Sequence, residues 1–134
     1  MTSGLFPFAA RVLISAIFVQ GAMGKILGWS GQAAYMQSHG LPMVTPLLGM
    51  ALGIEAAGVV CLLSGVGARA AAAVMFLYLV AVSVLLHAFW SAPAASAGTL
   101  QTHFLKNMGI AGGLLLLAAN GPGRWTLTLR SRRE

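Results

Sequence analysis

The charged side chains that could do chemistry in this chain lie inside long apolar runs. Arg11 stands near the start of the first run, and Glu55 stands near the middle of the second. A lone carboxylate in hydrocarbon is costly, so it must be protonated, paired or in contact with water. Counted along helices, the two side chains lie close in depth. We therefore predict an ion pair between Arg11 and Glu55.

Two roles for this pair are open at the level of sequence. A buried pair can fix the register of two helices without adding much stability. An intramembrane carboxylate can also handle protons, or serve as the counter-ion of a ligand cavity. The small residues Ala51 and Gly58, about one turn to either side of Glu55, predict that another helix approaches closely there.

A second polar group is expected near the opposite membrane face, with no carboxylate nearby. Lys25 ends the first helix, and two further sets share helix faces, namely Ser83, His87 and Trp90 at i, i+4 and i+7, and His103, Lys106 and Asn107 at i, i+3 and i+4. Such donors suit an anionic head group, a quinone carbonyl or an acidic partner. The alternative is that the lysines extend to lipid phosphate while the tryptophan and histidines occupy the interfacial belt.

Several other chemistries have weak support in the sequence. His87 and His103 lack the thiolate or carboxylate partners of a metal site and form no haem-binding spacing motif. Cys61 is the only cysteine, which excludes an internal disulfide. We therefore expect neither a metal nor a covalent cofactor. Because no nucleophile is paired with a base, we also expect no enzyme acting alone.

The composition requires a bilayer as solvent. Of 134 residues, 58% are hydrophobic and 7% are charged, whereas soluble domains carry about 25% charged residues. The formal net charge is +6, but four of the eight Lys and Arg residues lie in the tail 124–134. Basic residues beside a membrane helix meet anionic head groups, so we expect contact with lipid and no binding of nucleic acid.

The elements that must position these residues are four apolar helices, predicted at 5–27, 42–64, 68–90 and 103–119. The three-residue link between the second and third makes them antiparallel neighbours. We predict an all-α membrane bundle, up-down-up-down, forming one domain over residues 1–123. The link between the first two helices predicts a short helix along the membrane surface.

The basic residues also predict the orientation in the membrane. Arg69 and the tail arginines lie on one side, and the two longer links on the other side carry no Lys or Arg. By the positive-inside rule, the N-terminus and C-terminus are both cytoplasmic. The first run lacks a positive leader and a cleavage site, so we expect it to be retained as an anchor.

Several segments together resemble one family. They are RVLISAIFVQGAMGK from Arg11 to Lys25, the connector GQAAYMQSHGLP, GIEAAG around Glu55, HAFW from His87, HFLKNM from His103, and GPGRW. In order and spacing, over roughly residues 8–127, this pattern resembles the DoxX family of small bacterial membrane proteins. The residues that match recurring polar positions of that family are Arg11, Lys25, Glu55, Arg69, His87, His103, Lys106 and Asn107.

The resemblance implies a four-helix protein of the bacterial inner membrane that is associated with redox systems, since one branch is similar to a subunit of thiosulfate:quinone oxidoreductase. The expected function is a subunit of a redox or detoxification system, with a soluble or membrane redox partner, that binds a quinone or another small amphipathic ligand. An alternative is a scaffold or chaperone-like protein, with the small-residue runs 70–73 and 109–113 as contact surfaces, alone or as a homo-oligomer. A small-solute transporter is the third alternative.

Overall fold

The computed structural model describes residues 2–127, with side chains from Gly4 onward, and all regular structure in this part is helical. This confirms the all-α class. Most of the predicted basic tail lies outside the described residues. The elements are α1 (Thr2–Leu27), α2 (Trp29–Ser38), α3 (Val44–Ser64), α4 (Ala68–Leu86), a 3-10 turn (Phe89–Ser91) and α5 (Ala94–Asn120).

Three helical segments are long and apolar enough to cross a membrane, namely Gly4–Leu27, Val44–Ser64 and Ala68–Ser91. Large apolar side chains such as Leu13 (75% exposed) and Leu77 (66%) point outward from these helices. Exposed apolar surface on this scale requires a nonaqueous neighbour. The first three predicted spans therefore have the expected length and composition.

The last helix differs most from its predicted bounds of 103–119. It begins at Ala94, directly after Pro93, and runs for 27 residues. The alanines of the expected link are strong helix formers, so they extend the helix backward to the proline. Its polar N-terminal half makes α5 less apolar than the other long helices, and α5 is not among the three candidate spans.

The four long helices contact one another in a closed ring, in which α1 packs on α3, α3 on α4, α4 on α5, and α5 on α1. Helix α2 packs on α1 and α3. The main core includes the fully buried Leu62, Met75 and Leu114. A side chain at Gly58 would overlap Met75, so this glycine allows α4 to approach α3, as its small size predicted.

Arg11 is fully buried at the C-terminal end of α3. Its Nη1 donates to the carbonyl oxygens of Leu62 at 2.8 Å and Leu63 at 3.3 Å, and its Nη2 donates to that of Trp125. The last carbonyls of a helix have no partner within the helix and carry the negative end of its dipole. Arg11 therefore caps α3 and holds the segment after α5 against it.

Arg69 does the same for the C-terminal end of α5, but at the surface. Its Nε donates to Ala118 O at 3.0 Å and its Nη2 to Ala119 O at 2.8 Å. Two arginines thus satisfy helix-terminal carbonyls at the same end of the bundle. One of them is shielded from solvent and the other is exposed.

Replacing Arg11 with Gln should therefore destabilise the protein more than replacing Arg69 with Gln. Each buried polar group left unsatisfied costs about 1–3 kcal/mol, so we expect Arg11→Gln to lower the free energy of unfolding by about 3 kcal/mol. Water replaces the exposed guanidinium, and Arg69→Gln should cost less than about 1 kcal/mol. Equilibrium unfolding in mixed micelles measures both values, and equal losses would contradict the assignment.

Candidate functional site

Glu55 is the centre of a polar cluster in the interior of the bundle, where it is 5% exposed. Lys25 Nζ lies 2.8 Å from Oε1 and 2.9 Å from Oε2 of this carboxylate. The Tyr78 hydroxyl donates to Oε1 at 2.7 Å. The carboxylate on α3 thus joins a cation from α1 and a phenol from α4.

The predicted ion pair between Arg11 and Glu55 is wrong, because side chains on a helix point back toward its N-terminus. The carboxylate lies against Gly21, where an added Cβ would stand 3.1 Å from both oxygens. Lys25, one turn later on α1, reaches back to that level, with Nζ 3.4 Å from Gly21 O. Arg11 lies about 15 Å before Gly21 along the helix and points away from it.

A cavity of about 520 Å³ opens beside this cluster and is lined by residues of α1 to α5 and by His87. Apolar side chains such as Phe18, Leu48 and Leu79 form much of its wall. The polar and charged side chains of the lining include Lys25, Glu55, Tyr78, His87, Lys106 and Asn107.

Four of the six predicted ligand-binding residues, Lys25, His87, Lys106 and Asn107, line this cavity, and the other two do not. The His103 ring stacks on that of His87, with centroids 5.4 Å apart, and its Nδ1 is 3.5 Å from Lys106 Nζ. Trp90 is 58% exposed and packs edge-on against Phe104, with centroids 5.6 Å apart. His103 thus supports two lining residues, whereas Trp90 lies outside the site.

The wall formed by α4 and α5 is held by a short chain of hydrogen bonds. Asn107 Nδ2 donates to Ser83 Oγ at 3.0 Å, and this hydroxyl donates to Leu79 O at 2.7 Å. Beside them, His87 Nδ1 is buried and has no hydrogen-bond partner among residues 2–127. Asn107 is therefore fixed in place, while His87 keeps unused hydrogen-bonding capacity.

The sequence reasoning missed Tyr78, which donates directly to the buried carboxylate. It is the only hydrogen-bonding side chain between Arg69 and Ser83, within an otherwise apolar stretch of α4. That isolation was a usable signal, because a buried phenol needs a partner. It was overlooked because Tyr78 does not share the helix face of Ser83, His87 and Trp90.

Tyr35 of α2 closes another part of the cavity lining. Its hydroxyl donates to Leu86 O, in the last turn of α4, at 3.0 Å. Burial raises the pKa of the Tyr35 phenol above its ordinary value. The short helix α2 is thereby anchored to the transmembrane part of the protein.

A second cavity, of about 640 Å³, lies between α2 and the start of α5. Its lining contains His39 and several hydroxyl groups but no Lys, Arg, Asp or Glu. Within residues 2–127, no three His, Cys, Asp or Glu side chains cluster in a way that could hold a metal ion. The first cavity is therefore the stronger candidate for a functional site.

Comparison with known proteins agrees with the pattern of polar residues. The DoxX family model matches residues 6–88, which is more than half of the chain. This protein belongs to the DoxX family. It is an integral membrane protein, with the ion pair of Lys25 and Glu55, Tyr78 and His87 all inside the matched region.

Two Escherichia coli (strain K12) proteins are similar over most of their length. The inner membrane protein YphA is 31% identical over 121 residues, covering 90% of this chain and 86% of its own. The inner membrane protein YqjF is 33% identical over 118 residues, covering 88% and 85%. Both matches are too long to end at residue 88, so they continue into α5. No solved structure matches this chain.

The buried pair predicts a non-additive response to mutation. Glu55→Gln leaves the Lys25 ammonium, whose side chain is 13% exposed, without its counter-charge. We expect a loss of about 3 kcal/mol in the free energy of unfolding, as for other broken buried pairs. The double variant Lys25→Met with Glu55→Gln should lose less than Glu55→Gln alone.

Tyr78→Phe is the matched control, because it removes one neutral donor from the same carboxylate. It should cost about 1 kcal/mol. Unfolding titrations of the wild type, of the single variants Lys25→Met and Glu55→Gln and of the double variant in micelles give the coupling energy between Lys25 and Glu55. Strictly additive losses would contradict an ion pair at this site.

Proposed function

We propose that this DoxX-family protein binds a small amphipathic ligand in the cavity between its helices. The observation that carries this proposal is the convergence of Lys25, Glu55, His87 and Lys106, from four segments of the chain, on one cavity of about 520 Å³. Ligand sites typically enclose about 300–1,000 Å³, with apolar walls and a few placed polar groups. A purely structural lock between helices would need no such space, since protein interiors are otherwise closely packed.

We further propose that the protein is an accessory subunit of a redox or detoxification system. A quinone is one candidate, because its carbonyl oxygens accept hydrogen bonds from groups such as Lys106 and His87, and its apolar part suits the walls. The family resemblance favours the same class of ligand. A soluble or membrane-bound redox partner would supply the catalytic centre.

We propose that α5 is the fourth span and that the bundle runs up-down-up-down in the bacterial inner membrane. At 27 residues, α5 is about 40 Å long, which exceeds the roughly 30 Å hydrocarbon core. The ring of contacts among the long helices supports this arrangement. The named relatives are inner membrane proteins. Helix α2 then lies along the outer surface, and both termini are cytoplasmic.

A second candidate function, a scaffold for other membrane proteins or a homo-oligomer, is favoured by one observation on α5. A Cβ added at Gly109 or Gly112 would meet no other atom within 4 Å. Exposed small residues allow another membrane helix to approach closely. The two candidates differ in whether the purified protein carries a ligand or a stoichiometric partner.

Ligand binding is tested by titrating the protein, purified in dodecyl maltoside, with decylubiquinone in a calorimeter. We expect one site per chain, and Ala51→Phe should abolish binding because Ala51 lines the cavity. Val60→Phe is the matched control, since Val60 is 66% exposed on the same helix. Binding that survives Ala51→Phe would place the ligand elsewhere. A protein that binds no probe and co-purifies with a fixed partner would favour the scaffold.

The membrane arrangement is tested with fusions of green fluorescent protein and alkaline phosphatase at each terminus. We expect fluorescence and no phosphatase activity at both ends, because an even number of spans returns the chain to the cytoplasm. Phosphatase activity at the C-terminus alone would mean three spans. The double variant Arg69→Gln with Arg124→Gln should reduce the fraction of molecules that insert with both termini in the cytoplasm, whereas Lys25→Gln should not.

A further inference from the structure

We propose that the ligand is an amphipathic monoanion whose acidic head group is bound by Lys106, with His87 and Asn107 beside it. This inference rests on the proposed ligand-binding function and names the class of ligand. It follows from the charges of the cavity lining, from the hydrogen bonds already formed there and from the apolar walls.

The first step is that Lys25 and Glu55 neutralise each other's charge and use each other's hydrogen-bonding groups. Each carboxylate oxygen accepts from Lys25, and one also accepts from Tyr78. The ammonium has three donors, and its contacts are the two carboxylate oxygens and Gly21 O at 3.4 Å. The pair is therefore neutral overall, and it leaves Lys25 no donor to offer a ligand.

The second step concerns Lys106, which carries the remaining charge of the lining. Glu55 is the only acidic residue in the described range 2–127, and Lys25 already neutralises it. The side-chain contact of the Lys106 ammonium in that range is His103 Nδ1, at 3.5 Å. The lining thus carries one positive charge, on an exposed side chain, without a counter-charge from residues 2–127. An anionic head group would neutralise it through charge-assisted hydrogen bonds, whereas a neutral ligand would not.

The third step is that Asn107 and His87 line the same cavity as Lys106. Asn107 uses one amide hydrogen on Ser83 and has a second one to donate. His87 has a buried ring nitrogen without a partner among the described residues, and its ring is stacked on that of His103. The second amide hydrogen of Asn107 would therefore give an acid oxygen a hydrogen bond in addition to the lysine charge.

The fourth step is that much of the remaining wall is apolar, although Gln20, Gln32 and Tyr35 also line the cavity. Phe18, Leu48, Leu79, Val82 and Leu86 line it, and they offer nothing to a small hydrated anion, whose desolvation would be costly. They suit an alkyl or ring system attached to the acid. A free amphipathic acid and an anionic phospholipid share this chemistry.

The test compares probes with one ten-carbon tail and different head groups. Binding of decanoate, decanol and decyltrimethylammonium to the full chain in dodecyl maltoside is measured by calorimetry, beside decylubiquinone. We expect decanoate to bind at least about tenfold more tightly than decanol, since a hydrogen-bonded charge is typically worth that or more. Decyltrimethylammonium should not bind.

Variants locate the head group. Lys106→Gln should weaken decanoate binding about tenfold and leave decanol binding unchanged, because only the charge and its donors are lost. Lys106→Arg should retain most of the affinity for decanoate, which also controls for folding. Arg124→Gln is the matched control, because it removes one positive charge outside the cavity lining and should have no effect.

The outcomes separate this inference from the function on which it rests. Equal affinity for decanoate and decanol, or an unaffected Lys106→Gln variant, would overturn the monoanion while ligand binding stands. Failure of every probe, decylubiquinone included, would overturn the proposed function itself. Displacement of decanoate by dioctanoyl phosphatidylglycerol but not by dioctanoyl phosphatidylcholine identifies a lipid, and no displacement by either identifies a free acid. Both results support an anionic ligand.

Discussion

The ion pair between Glu55 and Lys25 is the interaction around which the interior of this protein is arranged. A carboxylate 5% exposed among membrane helices needs a counter-charge and hydrogen-bond donors. Lys25 and Tyr78 supply them from the two helices that flank α3, so neutralising one charge also fixes the relative positions of three helices. Gly21 contributes through its lack of a side chain, because the carboxylate lies directly against it. The ligand cavity opens beside this neutralised cluster.

The few other cations of the described chain act according to what surrounds them. With one acidic residue in residues 2–127, the arginines Arg11 and Arg69 bind helix-terminal carbonyls, which carry partial negative charge. Lys106 has neither a carboxylate nor a carbonyl partner in that range and lines the cavity instead. The described part thus contains one acid and five cations, of which Lys25 pairs with the acid, Arg11 and Arg69 bind helix ends, and Arg124 lies outside the cavity lining. Lys106 remains for a ligand.

Much of the candidate site could be found from residue types alone, while its pairing could not. Lys25, His87, Lys106 and Asn107 were identifiable as polar exceptions in apolar helices, and Glu55 was expected to face inward. The partner of Glu55 was assigned wrongly, because depth along a helix was counted from backbone positions and the direction of the side chains was not considered. Lys25 points back toward the carboxylate and Arg11 points away from it, although Arg11 is the longer side chain. Tyr78 was missed because it lies on a different helix face from His87 and Trp90.

The sequence by itself determined that the protein resides in a membrane, that it is helical, and which few side chains are exceptions to its apolar composition. These properties depend on the solvent that a composition tolerates and on local backbone preferences, both of which are readable along the chain. Only the tertiary structure decided that Lys25 neutralises Glu55, that Arg11 caps α3, and that Lys106 is left facing the cavity. Each of these depends on the axial offset between neighbouring helices and on the direction of each side chain, and packing sets both.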